Sequence, residues 1–210
     1  MPRRRTETLQ TREKFFIVTN GEQTEKNYFE LIKQKKSIYD VKIITENADT
    51  VGLVRHALNF LDGANQVWVV FDIDASYKEK RLPDALKLAR ENGIKVAFSN
   101  LAFEVWLISH YEQCEREMNT SDHKKKLDKI LKELHPGLVY DKTDKEILKK
   151  YFVDKYPTAV TNAKIVYQKR VAEHNITALS NSQYKIWEWN SCTSVFKLID
   201  ALKLQIKYEE

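Results

Sequence analysis

From residue 15 to about residue 112 the chain alternates short apolar runs with segments of helical period, the pattern of a parallel sheet covered by helices. Phe15 to Val18, Val41 to Thr45, Val67 to Phe71 and Ile94 to Phe98 read as four strands. The third is apolar throughout, as a strand buried on both faces should be. Tyr28, Phe29, Leu31 and Ile32 form one face of a helix over about 24–36. Val51, Val54, Leu58 and Leu61 line a second, with Asp49 or Thr50 as its cap and Gly63 as its stop. Pro83 suits the first turn of a third helix ending near Asn92, and residues 102–113 read as a fourth. After Met118 the pattern turns mainly helical, over about 122–134, 143–153, 158–173 and 193–207, with breaks at His135-Pro136-Gly137 and Pro157. Gln183 to Trp189 fits either a short strand or an aromatic loop. The expected fold class is thus α/β: a four-stranded parallel sheet with helices on both faces over 15–118, an arm over 1–14, and a mainly helical region over 119–210 packed on the sheet domain.

Composition narrows the class. With 42% hydrophobic residues, four Trp, ten Tyr and nine Phe in 210 positions, and only five Gly and four Pro, the chain is neither disordered nor linker-rich. Two cysteines, Cys114 and Cys192, are too few for a disulfide framework or a four-Cys zinc site, which suits a reducing compartment. No apolar run is long enough to span a membrane and no apolar segment follows the Arg-rich start, so the expectation is a cytoplasmic protein without a membrane partner.

The formal charge of +5 is unevenly placed. Residues 1–14 hold five bases (Arg3, Arg4, Arg5, Arg12, Lys14) against two acids, and residues 124–150 hold nine lysines against five acids. Two basic patches beside a core that is slightly acidic suit a polyanionic partner such as nucleic acid; a flexible terminus and a solvated helix face are the plainer alternative. Arg3, Arg4, Arg5, Lys124, Lys125 and Lys126 are the candidate phosphate contacts. Trp187 and Trp189 would stack bases if exposed and fill the core if buried.

In an open parallel α/β sheet, ligands bind beyond the carboxyl ends of the strands, where strand order reverses. Strand one runs into Asn20-Gly21-Glu22-Gln23-Thr24-Glu25, strand three into Asp72-Ile73-Asp74, and strand four into Ser99-Asn100 with Glu104 one helical turn on. Asp72 and Asp74, two residues apart in an extended segment, point the same way, and two such carboxylates repel unless a cation or a shared proton compensates. Acids from three strand ends would converge on a hard cation of the Mg²⁺ type if strands one and three are neighbours. For Glu22 and Glu25 the plainer reading is a favourable interaction with a helix N-terminus.

The stretches IVTNGEQTEKNYF (17–29), VVFDIDAS (69–76), SNLAFEVWLISHY (99–111) and NSCTSVFKLI (190–199) together resemble the RloB-like family, whose members carry a Toprim-type catalytic domain and are associated with bacterial restriction-modification and phage-defence loci. The resemblance implies a Rossmann-like Toprim domain over about 13–112 and phosphodiester cleavage with Mg²⁺, for which Mn²⁺ substitutes. It also implies a nucleic-acid substrate, DNA or RNA, and leaves a defence-system partner protein and self-association open. Carried over by residue, the metal ligands fall on Glu25, Asp72 and Asp74, with Asn20 beside them, and the catalytic set on Glu22, Glu25, Asp72, Asp74 and Glu104. His110, Asn190 and Thr193 fall on family signatures and are added to the nucleic-acid contacts. The departure is Asn20, where the family usually has Glu: an amide can offer a carbonyl oxygen but cannot act as a base. Two rival readings follow, a catalytically weakened nucleic-acid-binding or regulatory subunit and, more remotely, a phosphatase of the haloacid-dehalogenase type, whose Asp-x-Asp loop follows the first strand rather than the third.

Overall fold

The computed structural model describes residues 12–35, 37–73, 81–174 and 186–204. Its sheet has five strands: β1 (Lys14–Thr19), β2 (Asp40–Thr45), β3 (Gln66–Asp72), β4 (Lys95–Asn100) and the short β5 (Cys192–Thr193). Their spatial order is β2-β1-β3-β4-β5. The first four are parallel, whereas β5 runs antiparallel to β4 with Ser99 opposite Thr193 and Asn100 opposite Cys192. The expected four-stranded sheet is therefore corrected to five. A two-residue strand has no periodicity to read, and the sequence pattern predicts helix from residue 193.

Strand alternation decides the layers. Phe15, Ile17, Trp68 and Val70 face a core built with α1 (Thr24–Ile32), α4 (Glu104–Ser109) and the C-terminal helices. Those helices are α5 (Thr120–Leu134), α6 (Lys145–Tyr151), α7 (Tyr156–Glu173) and α8 (Val195–Ala201). Val18, Val67, Val69 and Phe71 face the opposite core, against α2 (Thr50–Leu58) and α3 (Arg81–Glu91). The β3 run is buried on both faces, as its apolar composition predicts. Asp49 caps α2 by accepting from the Gly52 amide at 2.8 Å, and Asn119 caps α5, which begins at Thr120, two residues ahead of the predicted start. Trp189 is buried beside Phe98 and Tyr167 at the end of a 3₁₀ turn over Ile186–Glu188, so it fills the core and is not a stacking platform. Trp187 packs partly buried at the edge of the same core. Cys114 and Cys192 are buried free thiols, and no described helix is long and apolar enough to cross a membrane.

Candidate active site

Strand order reverses between β1 and β3: β1 passes to β2 on one side, and β3 lies on its other side. At the carboxyl ends of these strands lies a cleft of about 580 Å³. Its walls come from the β1–α1 turn (Asn20 to Glu25), the end of β3 (Asp72), the start of α4 (Ala102 to Glu104), Thr120 at the start of α5, and Lys142 in the α5–α6 connection. The structure thus brings Asn20, Glu22, Glu25, Asp72 and Glu104 together. Asp74 and Arg3, Arg4 and Arg5 lie outside the described residues.

Each side chain has a local reason for its place. The Gly21 amide donates to Thr19 Oγ1 at 3.1 Å, which turns the chain off β1 into α1. The Glu25 carboxylate folds back over Gly21 so closely that a Cβ there would displace it. Glu25 is buried, and desolvation pushes its carboxyl above the ordinary 4.5. Its own backbone amide opposes that shift, Glu104 adds to it, and Lys142 opposes it. Glu104 is half-buried and accepts from the Tyr140 hydroxyl at 3.1 Å. Desolvation, reinforced by the Glu104 charge, holds that phenol far above its usual range, so it remains a donor. Beyond Asp72 the Ile73 amide donates to Ser99 O at 2.8 Å, which keeps the chain extended past the end of β3. Glu22 is exposed at the mouth of the cleft.

Tyr140 and Lys142 are the site residues that sequence reasoning missed. They sit in a polar connection, and their ties to the cleft are long-range: Thr24 Oγ1 donates to Lys142 O at 3.0 Å across 118 positions, and Tyr140 reaches Glu104 across 36. No local pattern carries that signal.

The oxygen donors lining the cleft are the carboxylates of Glu22, Glu25, Asp72 and Glu104, the amides of Asn20 and Gln23 and the hydroxyls of Thr24 and Thr120, a hard set that suits Mg²⁺ or Mn²⁺. Among the described residues no group of three or more His, Cys, Asp and Glu side chains is arranged to hold a metal ion. Mg²⁺ keeps most of its waters and takes one or two carboxylates, so the residues present fit it as a partly hydrated ion. A carboxyl such as Glu25, whose proton affinity is raised by burial and further by the Glu104 charge, is also what a cation would relieve.

Three candidates are placed elsewhere. His110 is 1% exposed, inside the aromatic group Tyr28, Trp106 and Phe152. Its Nδ1 lies 2.9 Å from Trp106 O, a pure acceptor, so Nδ1 carries the proton and Nε2 accepts from Tyr28 Oη at 3.0 Å. Burial pulls its pKa down to about 3, so it is a neutral core histidine and not a phosphate contact. Thr193 is also 1% exposed and donates to Phe98 O at 2.9 Å, while Ser194 Oγ accepts from the Phe98 amide at 2.9 Å. Asn190 spends its amide on Met118, donating to the carbonyl at 2.9 Å. The near-terminal motif therefore docks β5 onto β4, and its hydroxyls replace the ladder that a two-residue strand lacks. Lys124 and Lys125 are exposed on α5, and Lys126 pairs with Glu112; none of the three lines the acidic cleft.

An open, mostly parallel α/β sheet with an acid-lined cleft at its strand-order reversal defines a doubly wound α/β protein with a carboxylate-rich site. The family model described as RloB-like protein matches residues 15–202, and the chain belongs to that family. No curated protein and no solved structure matches the chain.

Proposed function

We propose that this cleft is the active site of a Mg²⁺-dependent phosphodiesterase of the Toprim type, a nuclease acting on nucleic acid in a bacterial phage-defence setting. The observation that carries the reading is the convergence of Asn20, Glu22, Glu25, Asp72 and Glu104, from three separate strand ends, on the cleft at the strand-order reversal. Membership of the RloB-like family and the basic segments at 1–14 and 124–150 support it.

Glu25 and Asp72 would hold the ion, with Asp74 beside Asp72 in the chain and the Asn20 carbonyl oxygen as a neutral ligand. When bound, the ion supplies charge stabilisation on the phosphoryl and leaving oxygens. Glu104, fixed by Tyr140, orders the water on the far side of the cleft, and Glu22 at the mouth takes the proton from the attacking water. Basic residues outside the cleft hold the phosphate backbone, a contact independent of base sequence.

A screen of Mg²⁺-dependent cleavage on single- and double-stranded DNA and on tRNA tests the reading. Cleavage by the wild type that falls at least about 100-fold in Asp72→Asn/Asp74→Asn, with the circular dichroism spectrum unchanged, is the expected result. Undiminished cleavage by the double variant would remove the proposal. Asn20 favours one second reading, a weakened site in a binding or regulatory subunit, because its amide cannot ionise. Asn20→Glu separates the two: cleavage appearing only in that variant supports the weakened site, and robust wild-type cleavage rejects it.

A further inference from the structure

The cleft is lined by four carboxylates, Glu22, Glu25, Asp72 and Glu104, and a phosphodiester is itself an anion. One divalent ion offsets two of those four charges, so substrate entry needs a further cation inside the cleft. Among the described residues lining it, Lys142 is the one basic side chain. We propose that Lys142 binds the substrate phosphate, so that the helical region supplies part of the substrate site through the α5–α6 connection. The proposal rests on the phosphodiesterase reading above and adds the residue that receives the scissile or an adjacent phosphate.

The connection is built to hold that position. The Lys142 carbonyl accepts from Thr24 Oγ1 at 3.0 Å, which fastens it to the first residue of α1. Two residues earlier, the Tyr140 amide donates to Asp128 Oδ1 at 2.7 Å and its hydroxyl to Glu104 at 3.1 Å. On the other side, the Thr143 amide donates to Asp141 Oδ1 at 2.8 Å, and the Asp144 carboxylate caps α6 through the Glu146 amide at 2.9 Å. The backbone around Lys142 is thus tied to both halves of the protein, while its side chain is exposed. A fixed backbone with a solvated ammonium suits a ligand that arrives from solution, because only the side chain is left to order on binding. The Lys142 charge reaches Glu25, and Lys142 and Lys124 both act on Asp141 in the α5–α6 connection.

The rival role for Lys142 is to balance Glu25, and the salt dependence of binding separates the two. Each phosphate contact on a single strand contributes about 0.7 to the slope of log affinity against log salt. The probes are fluorescein-labelled DNA and RNA oligonucleotides of mixed sequence, about 20 nucleotides long, read by anisotropy in Ca²⁺ over a salt series of about 50 to 200 mM. Mn²⁺ binding to the same proteins is measured by calorimetry. Lys142→Met is expected to weaken binding about tenfold and to lower the slope by about 0.7, with Lys142→Arg restoring both and Mn²⁺ affinity unchanged or tighter in each. Unchanged slope and affinity in Lys142→Met, beside normal wild-type binding of oligonucleotide and Mn²⁺, would overturn the phosphate role and leave the metal reading standing. Loss of Mn²⁺ binding in Lys142→Met would also overturn it, because the lysine would then shape the metal site. A wild type that binds neither Mn²⁺ nor either oligonucleotide would overturn the phosphodiesterase reading, and this proposal with it.

Discussion

A neutral histidine in the core makes the protein acid-sensitive in a way that can be worked out. His110 ordinarily titrates at 6.5, and burial against Tyr28 and Trp106 lowers it to about 3. The unfolded chain therefore takes up a proton near pH 6.5 that the folded chain refuses until about pH 3. The stabilisation linked to this residue is fully present above pH 6.5 and is lost as pH falls toward 3. Each pH unit within that window costs about 1.4 kcal/mol, so a fall from pH 7 to pH 4.5 removes about 2.5 kcal/mol. That is a large share of a typical stability of about 5 to 15 kcal/mol. The test substitution is His110→Gln, which keeps one donor and one acceptor but does not titrate. It costs an offset of about 1 to 3 kcal/mol at neutral pH through poorer hydrogen bonds to Tyr28 and Trp106. Urea unfolding followed by tryptophan fluorescence gives both stabilities at several pH values. The gap between wild type and variant should shrink by about 2.5 kcal/mol between pH 7 and pH 4.5. Groups common to both proteins, such as His123 with its pKa lowered to about 4, cancel in the difference. A gap that stays constant within about 0.5 kcal/mol would show that His110 titrates near its ordinary value, and would refute its placement as a buried neutral residue.

Three further outcomes follow from the cleft. Glu25→Gln removes a carboxyl whose folded pKa lies above 4.5, so the ionised form is the strained one and its cost grows as pH rises past 4.5. In chelator the variant should melt higher than wild type at pH 7 and level with it below about pH 4.5, while added Mg²⁺ should stabilise only the wild type. Equal melting at every pH would contradict that. Gly21→Ala moves the Glu25 carboxylate off its seat, and should weaken Mn²⁺ binding at little cost in stability, because the displaced atoms are the end of a flexible side chain; Mn²⁺ affinity equal to wild type by calorimetry would count against the packing described. Tyr140→Phe removes the donor to Glu104, and should lower metal-dependent cleavage several-fold with a stability loss of about 1 to 2 kcal/mol by urea unfolding; a loss of stability without any change in turnover would deny Tyr140 its positioning role.

Much of this arrangement is legible in the chain before any coordinates. The four parallel strands follow from apolar runs of the right length, and the acids at their ends follow from the rule that such sheets bind ligands there. Asp49 as a cap and the fully buried β3 are equally local features. The remainder depends on contacts that no window of sequence holds. β5 forms because the Ser194 and Thr193 hydroxyls bond the Phe98 backbone and Thr193 meets the Ser99 hydroxyl, across 94 to 96 positions, so the polar run that marks it looks like a helix start. Helix α4 stops at Ser109, short of the expected 113, and Glu112 beyond it pairs with Lys126 of α5. His110 sits six residues after Glu104, off the face that looks into the cleft, a spacing that already set it apart from the acid. Tyr140 and Lys142 stayed hidden because a turn residue shows its partner only once the chain has folded.

The central claim is that the cleft between the ends of β1, β3 and β4 takes a divalent ion. Titration of Mn²⁺ into metal-free protein, followed by electron paramagnetic resonance, tests it directly. Saturable binding by the wild type, displaced by Mg²⁺ and weakened at least about tenfold in Asp72→Asn/Asp74→Asn, is the expected result. Mn²⁺ binding of equal strength in the wild type and in that double variant would contradict it.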